Sequence, residues 1–167
     1  MCQRPKITID ATSAKFRHAI SLIVIELARV NGFPKLATDQ AVPPERTEEI
    51  LAYYRRELEA VFGGAKPPQY TIYGHIGDGH LHVNMLPTTD AAFRRGRELL
   101  LEFTAEAVKL GGTVGAEHGL GKSKSHFLKL QYPPEVIEAM WRIKLALDPL
   151  NLLNRGNLFG SALLDPL

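Results

Sequence analysis

The chain has 167 residues, of which 45% are hydrophobic and 23% are charged, a composition typical of one soluble globular domain. Its 20 basic and 18 acidic residues lie mixed along the chain and leave a net charge of +2, so no nucleic-acid-binding face is expected. The single cysteine, Cys2, excludes a disulfide framework and favours a cytoplasmic location.

The N-terminal part predicts a loose lead-in over residues 1–12, followed by a helix. Ser13 can cap this helix, which runs to about Val30. Its apolar run, residues 22–25, is far too short to span a membrane, and no signal peptide precedes it, so at most a peripheral membrane association is expected. The apolar residues expected to face the core recur at helical spacing: Phe16, Ile20, Ile23 and Leu27.

A second helix follows an extended segment over residues 35–42. Pro43 and Pro44 fit the first turn of a helix, because proline lacks the N–H that would be unpaired there. The helix is predicted to run to about Phe62, where a Gly-Gly pair ends it.

The segment GHIGDGHLHVN, residues 74–84, predicts a β-hairpin that carries three histidines. Asp78 and Gly79 favour a two-residue type I′ turn, because that turn needs positive φ at both central positions. Such a turn would place His75 directly opposite His82, with Cβ atoms about 4.5–5.5 Å apart. His80 and Asn84 would share their face, since side chains alternate along a strand.

Two interpretations of these histidines stay open. They could be ordinary surface residues, or they could hold a divalent metal, since imidazole suits Zn²⁺, Fe²⁺ and Mn²⁺. A catalytic metal site commonly has three protein ligands. The segment GGTVGAEHGLGK, residues 111–122, predicts a short strand and a glycine-rich loop that presents Glu117 and His118. Neighbouring extended residues point opposite ways, so these two are expected to differ in role unless the loop turns between them; the alternative is a turn with two exposed polar residues.

Two more helices are predicted in the second half, one from Thr89 to about Leu110 and one opened by Pro133 and Pro134. The second is expected to bury Val136, Met140, Ile143 and Leu147, and an extended tail to begin at Asp148. Helices thus alternate with antiparallel hairpins. This order favours an α+β fold with helices packed on one face of an antiparallel sheet.

The order and spacing of four segments give the chain a family resemblance. LATDQAVPPER, GHIGDGHLHVN, GGTVGAEHGLGK and DPLNLLNRGNLF together resemble the C-terminal domain of FAD-linked oxidases. That family contains D-lactate dehydrogenase, the glycolate oxidase flavin subunit and D-2-hydroxyglutarate dehydrogenase. The resemblance implies a ferredoxin-like cap domain over residues 13–147, which holds a D-2-hydroxy acid against FAD. It also implies that the tail, residues 148–167, returns toward a flavin domain.

The resemblance also implies roles for individual residues. The family's metal ligands match His75, His82 and Glu117, with zinc favoured and manganese or iron as alternatives. Its active-site histidine matches His118, and a substrate-side asparagine matches Asn84. Where the family usually has asparagine, this chain has His80, which could be a further ligand, a substrate contact or a neutral replacement. The tail residues implied to meet the cofactor are Asn154 and Asn157.

No dinucleotide-binding fingerprint is present, so FAD is expected to bind mainly to a domain upstream of this chain. We therefore expect a fragment of a larger protein, or alternatively a separate subunit, that is inactive by itself. Two other functions remain open: a metal-dependent hydrolase, and a non-catalytic metal-binding or interaction module.

Overall fold

A computed structural model describes residues 11–65 and 69–159, and within them the chain forms five α-helices and three β-strands. The predicted lead-in over residues 1–12 lies mostly outside the described residues. In chain order the elements are α1 (Ala11–Asn31), β1 (Leu36–Ala37), α2 (Thr47–Phe62), β2 (Tyr70–His75), β3 (His80–Met85), α3 (Asp90–Lys109), α4 (Leu128–Gln131) and α5 (Pro134–Leu147).

The three strands form an antiparallel sheet in the order β1-β3-β2, and the α+β class is confirmed. The helices α2 and α3 pack on the face of β3 that carries Leu81, Val83 and Met85. Burial of these side chains supplies the main stabilisation, because each apolar side chain removed from water contributes about 1.5–3 kcal/mol. The core residues contributed by the two helices are Ile50, Tyr54, Leu58, Phe62, Leu99, Phe103 and Ala107.

The predicted hairpin register is wrong by two residues. His75 lies opposite His80, and His82 lies opposite Tyr73. The loop has four residues rather than two, with a 3-10 turn over Ile76–Asp78 and Gly79 in the left-handed region. Because the side-chain period of a strand is two, this shift leaves every histidine on its predicted face.

The helices α1 and α5 bury different residues from those predicted. In α1, Val24 and Ala28 are buried, whereas Ile23 and Leu27 are exposed; Ser13 lies inside the helix, and the side chain of Phe16 is outside the described set. In α5, Ile137 is buried, whereas three of the four predicted core residues are exposed: Val136, Ile143 and Leu147. Both helices carry apolar residues on more than one side, so spacing alone could not select the buried face.

The tail after α5 makes turns rather than an extended strand. Asn151, Asn154 and Leu158 have positive φ. The carboxylate of Asp148 accepts hydrogen bonds from the backbone N–H groups of Leu152 and Leu153, at 3.0 and 2.9 Å. None of the helices in the described part of the chain is long and apolar enough to cross a membrane.

Candidate functional site

The face of the sheet opposite the apolar core carries the three predicted histidines. The ring centroids of His80 and His82 are 4.3 Å apart, and His75 lies 5.7 and 5.9 Å from these two rings. His80 is buried, His82 is mostly buried, and the His75 side chain is 48% exposed. The hairpin thus arranges its imidazoles from the interior toward the solvent.

The loop over residues 116–118 brings Glu117 to these histidines. One carboxylate oxygen of Glu117 is 3.0 Å from His82 Nε2, and the other is 3.7 Å from His75 Nε2. His118 Nε2 lies 3.1 Å from the same Glu117 oxygen that contacts His82. The two neighbours therefore point into one site and not in opposite directions, because the backbone bends here instead of forming the predicted strand.

Asp39 causes this bend, and we did not predict its role. Its side chain is buried, and its carboxylate accepts hydrogen bonds from the backbone N–H groups of Ala116, Glu117 and His118, at 3.3, 3.4 and 3.1 Å. Its Oδ1 atom also lies 3.3 Å from His80 Nε2. The available signal was weak: Asp39 is the one charged residue between Lys35 and Glu45.

A neighbouring threonine fixes Asp39 to the sheet. The Thr38 hydroxyl donates to the carbonyl of Leu81 and accepts from the N–H of Val83, at 3.1 and 2.9 Å. These bonds continue the pairing of β1 with β3 beyond the end of the short strand. The hairpin, the segment around Asp39 and the loop around Glu117 are therefore held as one unit.

The environment of the central imidazole of His82 favours its neutral form. Burial, and then the neighbouring His80, lowers the pKa of His82, and these effects outweigh the opposing influence of the Glu117 carboxylate. Neutral imidazole is the form that binds a metal ion. A second group with a lowered pKa is Lys124, where the cause is again burial, and its Nζ donates to the carbonyl of Ala37 at 2.9 Å.

The histidines and Glu117 open into a cavity of about 850 Å³. The predicted substrate residue Asn84 lines it and accepts a hydrogen bond from Lys35 Nζ at 3.3 Å. His80 is not among the described lining residues. Lys124 and His118 also lie on its wall, so the cavity combines cations, imidazoles and one carboxylate.

The donor set fits a divalent metal. Ligand atoms from His75, His80, His82 and Glu117 lie within 4.8 Å of one another, and so do those of a second set in which Asp39 and His118 join His82 and Glu117. Nitrogen and carboxylate oxygen donors suit zinc, manganese or iron. The Nε2 atom of His80 is buried and lies 3.3 Å from Asp39 Oδ1, but it makes no hydrogen bond to that oxygen or to any other described residue, as expected for a nitrogen that faces such a site.

Residues 11–158 match the family described as "FAD linked oxidases, C-terminal domain". The chain belongs to this family. It is 37% identical over 161 residues to the mitochondrial D-2-hydroxyglutarate dehydrogenase of Rattus norvegicus. The aligned region covers 89% of this chain and 28% of that protein.

Two further relatives have different names. The D-lactate dehydrogenase of Archaeoglobus fulgidus is 38% identical over 122 residues, covering 71% of this chain and 25% of that enzyme. The glycolate oxidase subunit GlcD of Bacillus subtilis is 40% identical over 91 residues, covering 52% of this chain and 19% of that subunit. The FAD-linked oxidase domain described here thus spans only 19% to 28% of the length of these relatives.

The tail residues of this FAD-linked oxidase domain lie apart from the cavity. Asn154 and Asn157 are both exposed and belong to one turn, in which the Asn157 N–H donates to the Asn154 carbonyl at 2.9 Å. The N–H of Leu158 donates to the carbonyl of Gly121 at 2.9 Å, which attaches the tail to the loop that follows His118. Contact of the two asparagines with FAD stays a prediction.

Proposed function

We propose that this chain is the substrate- and metal-binding domain of a flavin-dependent dehydrogenase that oxidises a D-2-hydroxy acid. The observation that carries the proposal is the convergence of His75, His82 and His118 on the Glu117 carboxylate, at the edge of a cavity that also contains two lysines. Imidazole and carboxylate donors serve the metal, and the lysines attract a substrate carboxylate.

Each residue has a defined task in this proposal. His75, His82 and Glu117 would hold the metal, which would supply a Lewis acid for the substrate hydroxyl. His118 accepts the hydroxyl proton, for which its 68% exposed side chain is accessible from the cavity. Lys35 and Asn84 orient the carboxylate end. FAD held by another part of the whole protein would supply the two-electron oxidant for the C2–H bond.

Buried Asp39 supports the proposal because it positions the ligand Glu117 and the base His118 together. Preorganised groups avoid the cost of ordering the site during the reaction. A metal-dependent hydrolase would use the same donors to activate water. The two lysines on the wall and the membership in the FAD-linked oxidase family favour the dehydrogenase.

Titration of the chain with Zn²⁺ tests the metal site. We expect one equivalent to bind the wild type, and His82→Ala to lose most of the affinity because it removes a central ligand. His126→Ala is the matched control, because His126 is a histidine outside the site. Equal zinc binding by wild type and His82→Ala would contradict the assignment.

The roles of Glu117 and His118 separate in a flavin-bearing full-length protein. Glu117→Gln should lose metal and hence both substrate affinity and turnover. His118→Ala should retain metal and lose mainly kcat, by about 10²–10⁴-fold, as expected for a missing general base. Metal loss in His118→Ala as complete as in Glu117→Gln would make His118 a ligand.

A further inference from the structure

A second cavity of about 700 Å³ lies beside the first and shares three of its lining residues: Lys35, Ala37 and Lys124. Two arginines from α3, Arg94 and Arg97, add positive charge to its wall, which also includes His126. We call this second cavity the basic groove. Its remaining wall is largely apolar, with Leu36, Phe93, Leu100 and Phe127 among the lining residues.

Among the described residues, the two arginines of the basic groove have no partner of opposite charge. Within the described residues, neither Arg94 nor Arg97 makes an ion pair or a hydrogen bond. The other cations of α3 are paired: Arg95 contacts Glu98 and Glu102 at 3.1 and 2.6 Å. Glu98 is the acidic residue in the groove lining, and Arg95 already balances its charge.

The positive charge of Arg97 affects His126, the histidine in the groove wall. Its backbone belongs to a 3-10 turn, Ser125–Phe127, whose flanking side chains are both buried, so the turn is fixed to the domain. Burial, and then the nearby Arg97 guanidinium, lowers the pKa of His126. Of the described residues, four basic side chains line the groove, Lys35, Arg94, Arg97 and Lys124, against the single carboxylate of Glu98, so its wall favours an anion.

The strand β1 connects the two cavities. Leu36 pairs with Met85 and points to the core, so Lys35 and Ala37 lie on the face that carries Asn84. Lys35, Ala37 and Lys124 line both cavities, and Lys124 Nζ donates to the carbonyl of Ala37 at 2.9 Å. A ligand anchored beside Glu117 and Asn84 can thus extend past Ala37 into the basic groove.

We propose that the basic groove binds a second anionic group of the substrate, so that this domain serves a 2-hydroxy acid with a distal carboxylate and not lactate or glycolate. The inference rests on the proposed function for the first cavity. The apolar wall suits the methylene carbons between the two carboxylates, while Arg94 and Arg97 suit the distal one, because guanidinium pairs with carboxylate in a planar fork.

Calorimetric titration of the Zn²⁺-loaded chain tests this inference with two ligands of equal chain length. D-2-hydroxyglutarate carries the distal carboxylate, whereas D-2-hydroxyvalerate ends in a methyl group. We expect the dianion to bind at least about fivefold more tightly, a preference that falls as ionic strength rises because exposed charges are screened. The double variant Arg94→Gln, Arg97→Gln should lose this preference and bind D-2-hydroxyvalerate as the wild type does.

Arg55→Gln is the matched control, because Arg55 is an exposed arginine on α2 that lines neither cavity. This control should keep the preference. Equal affinity of the wild type for both ligands, or a preference that survives in the double variant, would overturn the inference.

Glutarate, which lacks the hydroxyl, distinguishes this result from failure of the proposed function. If D-2-hydroxyvalerate does not bind the zinc-loaded wild type at all, the proposed function fails. Arginine-dependent binding of glutarate would then still support an anion site in the groove, and glutarate binding that is absent or independent of the arginines would overturn it.

Discussion

Asp39 is a buried carboxylate that is stabilised mainly by backbone N–H groups, and among the described residues no lysine or arginine forms a hydrogen bond to it. Three successive N–H groups from residues 116–118 point at its two oxygens. Such an arrangement accepts only a group with two oxygens, because an amide would direct its own hydrogens at those donors. The position of the candidate ligand Glu117 thus depends on a residue 78 positions earlier in the chain.

Asp39→Asn should release the loop and weaken the metal site. We expect a loss of stability of about 1.5–3 kcal/mol, typical of hydrogen bonds to a charged acceptor, together with at least tenfold weaker zinc binding. Chemical unfolding without metal and zinc titration measure the two effects separately.

Thr104→Val provides the control for Asp39→Asn. It removes the 2.7 Å hydrogen bond that Gln40 donates to the Thr104 hydroxyl. Gln40 is buried and follows Asp39 in sequence, but this bond does not involve the loop over residues 116–118. It should lower stability without lowering zinc affinity. If Asp39→Asn binds zinc as tightly as this control, the positioning role of Asp39 is wrong.

At the scale of elements, the hairpin has a different turn from the predicted one, yet its histidines lie on the predicted face. The pair of Asp78 and Gly79 favours a two-residue turn, but Gly79 packs against the segment before α2, where its carbonyl accepts from the N–H of Val42 at 3.1 Å. Ala41 also pairs with His80. This long-range contact selects the four-residue loop, and the histidine face is preserved because the register moved by an even number.

Gly79→Ala should be strongly destabilising. Gly79 has φ of 62°, and an added Cβ would lie 2.0 Å from the carbonyl oxygen of Val42. Left-handed strain and a forced backbone shift should together cost more than about 2 kcal/mol. Gly77→Ala in the same loop meets nothing within 4 Å and should be nearly neutral. Thermal unfolding of the two variants checks this, and similar melting temperatures would contradict it.

Much of the fold was predictable from its sequence, because local patterns at the helix ends agree with the tertiary packing. The predicted helix near Thr89 does begin there, at Asp90, and Gly63 does follow the end of α2. The predicted site residues His75, His82, Glu117 and His118 do converge. Asp39, Lys35 and Lys124 were missed as members of the site, because no local pattern reports contacts across 49 to 87 residues.

At the scale of the whole molecule, an ion pair between Lys144 of α5 and Asp148 of the tail makes stability depend on pH. The Asp148 carboxylate contacts Lys144 Nζ and accepts from two backbone N–H groups, which lowers its pKa to about 2. A carboxylate with a depressed pKa stabilises the fold above its unfolded value of about 3.9, and this contribution disappears as pH falls from about 4 to about 2.

Asp148→Asn should therefore melt below the wild type at pH 7, and the difference should shrink through that acidic range. Melting curves of both proteins between pH 7 and pH 2 measure it. Glu135→Gln, at the exposed start of α5, is the control and should show no such difference. A gap between wild type and Asp148→Asn that stays constant down to pH 2 would contradict the assignment.

The bonds from Asp39 to residues 116–118 close a loop of 77 to 79 residues, so the site is complete only after nearly half the chain has folded around it. Closure of so long a loop lowers the conformational entropy of the chain before any stabilising contact offsets that loss. These contacts are therefore expected to form late in folding. Interactions that are absent from the folding transition state change the unfolding rate and leave the folding rate almost unchanged. A ligand that bridges Glu117 and the hairpin histidines would therefore extend the lifetime of the native domain without helping the chain to reach it.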